Sequence, residues 1–126
     1  MTFDPYKKFS FENLEVYKVA TELVVEVYKL QRKFPREEIF ALGDQVRRSA
    51  SSITSNIAEG TGRNSIKEKI HFIEIAFGSM TESFSQLQIA LGLNYLTLEE
   101  IEAVRPLYNR VAALLSLLKR SYEIKA

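Results

Sequence analysis

Residues 45–63 read QVRRSASSITSNIAEGTGR. Val46, Ala50, Ile53 and Ile57 recur at steps of three or four, which puts them on one face of a helix. Ser51, Ser52, Ser55 and Ala58 form a second line of small side chains that would let a neighbouring helix come close. The adjacent Arg47 and Arg48, Asn56, Glu59 and the closing G-T-G-R raise the possibility of a chemical site. The stretch points to packing more than to catalysis, and the remainder of the chain is read as what packs against it.

Working outward, three prolines and five glycines fall mostly between periodic segments, a pattern of four helices and no sheet. The first helix is predicted over about residues 12–33. Val16, Ala20, Leu23, Val27, Leu30 and Phe34 form its apolar face, and Pro35 stops it. The second covers about 37–59 with an open question at its start. Either Gly43 breaks the helix and Asp44 caps the main part, or one helix runs from Glu37. Gly60 is its expected left-handed terminator.

A third helix, about 65–91, opens on the capping box Ser65-Ile66-Lys67-Glu68. Its stripe is Ile66, Ile70, Ile73, Phe77, Met80, Phe84, Leu87 and Leu91, and Gly92 ends it. The fourth, about 97–122, opens on Thr97-Leu98-Glu99-Glu100 and carries Ile101, Val104, Tyr108, Val111, Leu115, Leu118 and Tyr122. Pro106 is expected to kink it. Four amphipathic helices with short connections imply one all-α domain over residues 1–126, an antiparallel up-down-up-down four-helix bundle.

The chain has 126 residues with 46% hydrophobic and 26% charged, enough for a packed core. It contains no cysteine, so disulfides and thiolate metal sites are excluded. No signal segment or membrane span is visible, and a cytoplasmic location is the simple expectation. Beside the main stripes stand further apolar or small residues: Phe72, Ala76, Ser79, Ser83 and Ala90 on the third helix, Leu107, Leu114 and Leu117 on the fourth. Such second faces either mark self-association or fill out a monomer core.

Candidate chemistry is sparse. Glu68 and His71 form an E-x-x-H on a helix, but di-iron bundles need two such motifs and further carboxylates, and the chain has one histidine. The serines lack a base and an elbow motif, and G-T-G-R is no phosphate loop. No catalytic residue, metal or cofactor is expected. Arg47, Arg48, Arg63, Lys67 and Lys69 cluster about one helix pair. They serve either as phosphate contacts to nucleic acid or as internal partners, with Arg48 set against Glu82 and Arg63 against Glu59. Internal pairing is the favoured reading. Aromatic platforms for bases are not obvious, since most Phe and Tyr residues are accounted for by the stripes, with Tyr6 and Tyr95 as exceptions.

The pattern Q-x-R-R-x-A-x-S-I-x-x-N-I-A-E-G-x-G-R, carried by Gln45, Arg47, Arg48, Ala50, Ser52, Ile53, Asn56, Ile57, Ala58, Glu59, Gly60, Gly62 and Arg63, resembles a known hallmark. It is that of the small bacterial bundle proteins first noticed in intervening sequences of 23S ribosomal RNA genes. Phe11–Tyr17 resembles that family's F-x-x-L-x-V-W, with Tyr17 for Trp. Phe34-Pro35 with Glu38 resembles its F-P-x-x-E, and Ala76, Gly78, Ser79 and Glu82 its A-x-G-S-x-x-E. Leu91-Gly92-Leu93 resembles its L-G-Y with Leu for Tyr, and Thr54 stands where many members carry Pro.

The resemblance implies a homopentameric four-helix bundle with no known enzyme activity. A similar bundle is the accessory protein of diversity-generating retroelements, which contacts reverse transcriptase and nucleic acid. Structured RNA or a reverse transcriptase complex is therefore an implied partner, beside a protein-only adaptor role. In this reading Asn56, Glu59 and Arg63 lock the Gly60–Gly62 turn, and Glu59→Ala is expected to cost about 1–3 kcal/mol.

Overall fold

The computed structural model describes residues 2–126. Four helices account for most of them: α1 over Glu15–Gln31, α2 over Leu42–Thr61, α3 over Ile66–Gly92 and α4 over Leu98–Lys125. Short 3₁₀ turns at Ser10–Asn13 and Arg36–Glu38 precede α1 and α2. Each helix packs on its successor and α4 closes on α1, with no close backbone approach across either diagonal among the described residues. That order is an up-down-up-down bundle, as the four amphipathic stripes require. The longest helix, α4, has 28 residues and so runs about 42 Å.

The first two stripes are buried as expected. Ala20, Leu23, Val27, Val46, Ala50 and Ile53 are fully inside, with Val16, Leu30, Phe34 and Ile57 at the edges of the same cluster. On α4 the centre is Ile101, Val104, Tyr108, Val111 and Leu115, while Leu118 and Tyr122 are half-buried. Pro106 lies exposed within α4 and does not interrupt it.

Helix α3 departs from expectation. Its innermost residues include Ala76, Ser83 and Ala90, all at 0% exposure, whereas Phe77 of the expected stripe is 40% exposed. Ile73, Met80 and Leu87 of the expected stripe are buried as well, so small and large residues share the core face and Phe77 is left outside it. Small side chains on both partners let the α2 and α3 backbones run close, and this seam is the most extensive in the molecule. Ser83 is tolerated there because its hydroxyl is satisfied, lying 2.9 Å from the Met80 carbonyl and 2.8 Å from the Tyr108 hydroxyl.

Helix ends show how local signals were resolved. Leu14 is extended (φ −73°, ψ 129°), so residues 10–13 form a separate turn instead of the first turn of α1. Helix α2 is continuous through Gly43, its N-cap is Ala41, and Asp44 sits within the first turn. Gly60 is helical and buried, and no glycine among the described residues has a positive φ. The one left-handed residue among those described is Asn94 (φ 63°), after α3. There the Tyr95 N–H reaches the Ala90 carbonyl at 2.9 Å and the Asn94 N–H reaches that of Leu91 at 3.0 Å, the paired closing bonds of a Schellman cap. The box at Thr97 forms in both directions, but at Ser65 only its hydroxyl takes part, accepting from the Glu68 N–H.

Candidate functional site

The seam between α2 and α3 is where the motif residues converge. Ser52 Oγ lies 2.8 Å from Ser79 Oγ, and Ser49 Oγ donates to Gln86 Oε1 at 2.6 Å. Gly60 faces Phe72: a Cβ built on Gly60 would fall 2.9 Å from the Phe72 Cβ. Glycine is needed here for approach between helices, since its own backbone is ordinary α. Gly78 has the opposite character, exposed on α3 with nothing within 4 Å of an added Cβ. Gly62 closes α2 in a right-handed conformation (φ −84°).

The expected lock around the turn comes apart into two pieces. Asn56 Nδ2 donates back along α2 to the Ser52 carbonyl at 2.7 Å and to Ser52 Oγ at 2.8 Å. Glu59 and Arg63 do form the expected ion pair, with side chains 53% and 41% exposed. The Arg63 guanidinium also lies over the Phe72 ring at 4.8 Å. Asn56 therefore does not join Glu59 and Arg63, and their pairing is solvated.

The basic candidates have internal destinations, with one exception. Arg47 donates to Gln31 Oε1 at 2.9 Å and to the Ile39 carbonyl at 2.7 Å, tying the end of α1 and the 36–41 connection to α2. Gln31 is itself 7% exposed, so Arg47 supplies the partner its buried amide requires. Arg48 pairs with Asp44 at 2.9 Å, not with Glu82, because the i,i+4 partner on its own helix is nearer than any across the seam. Lys69 donates to the Thr61 carbonyl at 3.0 Å, a cation at the negative end of α2, and lies 5.7 Å from the Tyr122 ring. Lys67 is exposed and makes no hydrogen bond or ion pair among the described residues, and the same holds for Glu82.

Sequence reasoning missed a polar tie at the opposite end. The Tyr95 hydroxyl donates to Glu38 Oε2 at 2.8 Å, and its ring lies 5.6 Å from that of Phe34. The bond to the Glu38 carboxylate raises the Tyr95 pKa. Lys33 pairs with Glu100, which also accepts from the Thr97 backbone, and these contacts lower the Glu100 pKa. Burial pushes the Tyr108 phenol up to about 12 against the opposing effect of its Ser83 bond. His71 is exposed beside Phe72, and no group of three or more metal-type ligands occurs among the described residues. No helix of the described residues is long and apolar enough to cross a membrane.

The outer faces of α3 and α4 are more open. Phe77, Ile89 and Leu117 are 40%, 50% and 63% exposed. Between the two helices lie two depressions, one of about 430 Å³ lined by Ile73, Glu74, Phe77, Leu115 and Lys119, and one of about 170 Å³ lined by Met80, Phe84, Arg105, Tyr108 and Ala112.

Comparison with known proteins agrees with the bundle. A crystal structure of a protein of unknown function from the S23 ribosomal protein family of Bacteroides thetaiotaomicron is similar, with a TM-score of 0.75 and 25% identity, over 82% of this chain and 97% of that one. No curated protein matches significantly. Residues 12–117 match the 23S rRNA-intervening sequence protein family, a span that holds the first three helical stripes, most of the fourth and the 45–63 motif. The chain belongs to that family.

Proposed function

We propose that this protein is a non-enzymatic, self-associating interaction module whose working surfaces are apolar and meet protein. The observation that carries this reading is a contrast between its charges and its hydrophobic residues. Arg47, Arg48, Arg63 and Lys69 are engaged within the chain, while large apolar side chains stand exposed on the outer faces of α3 and α4. Association as a homopentamer, which the family resemblance implies, would cover such faces.

A second reading, contact with structured RNA or with a reverse transcriptase complex, is favoured by two observations. Lys67 has no internal partner among the described residues, and the Arg48 side chain is 80% exposed despite its bond to Asp44. One salt series decides between the readings. The purified protein and its Lys67→Glu and Arg48→Glu variants are titrated with a labelled structured RNA while their size is followed by sedimentation. Association with weak RNA binding that is equal in all three proteins is the expected result. Tight binding that falls steeply with salt and weakens in the folded variants overturns the protein-only reading, because phosphate contacts release counterions.

A further inference from the structure

The connection between α1 and α2 crosses its end of the bundle without an apolar anchor. Among residues 36–41 only Glu38 is half-buried, and none of the six belongs to the hydrophobic core or packs against it as an apolar side chain. Phe40 and Ile39 are left 93% and 39% exposed. The core ends on either side of the connection, at Phe34 and Leu42, each 8% exposed.

What holds the segment is polar. Within it the Ile39 N–H reaches the Arg36 carbonyl at 3.2 Å and the Ala41 N–H reaches that of Glu38 at 3.1 Å, so it keeps a turn geometry of its own. Two fastenings come from elsewhere. Arg47, on α2, donates to the Ile39 carbonyl at 2.7 Å. Tyr95, in the connection after α3, donates to Glu38 Oε2 at 2.8 Å. The other Glu38 oxygen accepts from the Leu42 N–H at 3.4 Å, one of the free donors that open α2, whose cap residue Ala41 offers no side-chain acceptor.

Gly43 supplies the seat. A Cβ there would fall 2.7 Å from the Glu38 carbonyl oxygen, 3.0 Å from Gln31 Nε2 and 3.2 Å from an Arg47 nitrogen. Side-chain ends can shift, but the nearest contact is backbone, so an added methyl has to lift the segment. Glycine inside a helix forgoes the propensity of alanine. At Gly43 that loss accompanies the close seating of the connection on α2.

We propose that residues 36–41 are a strap, seated on Gly43 and fastened by Arg47 and Tyr95, that opens as one unit while the four helices stay folded. Opening breaks polar contacts that water can replace and exposes little apolar surface, so it takes far less free energy than unfolding the bundle. The strap carries Ile39 and Phe40 with it. Because one fastening comes from α2 and the other from the connection after α3, its position couples the two connections at that end of the bundle.

Amide hydrogen exchange, read residue by residue by NMR, tests this. Ile39 and Ala41 report the strap, and Leu23 and Ile53 report the helices. The expected result is measurable protection at Ile39 and Ala41, well below that at Leu23 and Ile53 and insensitive to low urea, as a local opening that exposes little surface requires. Tyr95→Phe removes only the hydroxyl and should lower strap protection several-fold with Ile53 unchanged. Gly43→Ala should lower it by about ten-fold or more, again with Ile53 unchanged.

An absence of protection at Ile39 and Ala41 in the parent protein overturns the fastening. Protection there equal to that at Leu23 and Ile53, or lost in step with it in Tyr95→Phe, overturns the independent opening. Unchanged strap protection in Gly43→Ala removes the seat. Should that variant fail to fold, Tyr95→Phe alone decides.

Discussion

The closest test of the α2–α3 seam is Gly60→Ala. On an isolated helix this change stabilises, by about 1 kcal/mol, because alanine loses less backbone entropy than glycine. In this protein the new methyl carbon falls 2.9 Å from the Phe72 Cβ. A Cβ is fixed to its backbone and cannot rotate away, so relief requires the two helices to part at that end. Overpacking of this kind costs about 1–3 kcal/mol. The difference leaves a net loss near 1 kcal/mol, or about 4 °C in Tm for a chain of this size.

Gly78→Ala provides the matched control. It lies on α3 with nothing within 4 Å of the added carbon, so it keeps the propensity gain and is expected to raise Tm by about 4 °C. Thermal unfolding followed by circular dichroism, repeated over a range of protein concentrations, reads both variants. If Gly60→Ala were as stabilising as Gly78→Ala, the close approach would not be what Gly60 provides, and the seam argument would fail.

Arg47→Ala should cost about 1.5–3 kcal/mol, since it strands the Gln31 amide and the Ile39 carbonyl, while Arg48→Ala should cost about 0.5 kcal/mol or less. Urea titration distinguishes them, and equal losses would contradict the difference in their surroundings. Glu59→Ala is now expected to cost under about 1 kcal/mol, because its pair with Arg63 is half in water. Tyr108 gives a pH signature. Its folded pKa of about 12 exceeds the ordinary 10, so the folded state holds its proton longer, and this contribution is full below pH 10 and lost between pH 10 and 12. Tyr108→Phe should flatten the alkaline fall in unfolding free energy, and an unchanged slope would count against burial as the cause. Asn94→Ala should destabilise by about 1 kcal/mol and Asn94→Gly should not, because only glycine matches asparagine's tolerance of φ 63°.

The order of helices and most of the core were legible because apolar spacing fixes which face of a helix turns inward. Helix α3 shows where that rule stops. Ile73, Met80 and Leu87 of the face expected from its large residues are buried, but Ala76, Ser83 and Ala90 are buried beside them and Phe77 is not. Volume argues for burial only when the partner leaves room, and α2 presents serines, alanine and glycine. Arg47 was visible as a basic residue but its destination was not: Gln31 and the Ile39 carbonyl lie 16 and 8 residues away, and no local periodicity connects them. Arg63 with Glu59 was readable because i,i+4 pairs are local, and Arg48 went to Asp44 for the same reason. The left-handed position was sought at glycines and found at Asn94, since Gly60 was already committed to helix approach.

The most recognisable stretch of the chain is thus occupied in building one seam, and what it leaves outside sets the terms of association. Burying a large apolar side chain that is fully exposed contributes about 1.5–3 kcal/mol, and one already half-buried contributes less. Phe77, Ile89 and Leu117 together would supply a few kcal/mol by that measure. Association costs on the order of 4–15 kcal/mol in lost freedom before any contact is counted. A single contact through those three residues therefore falls short of a stable assembly. A ring, in which every copy meets two neighbours, would bring in a second surface of each copy and add to the apolar gain without asking more of any one contact.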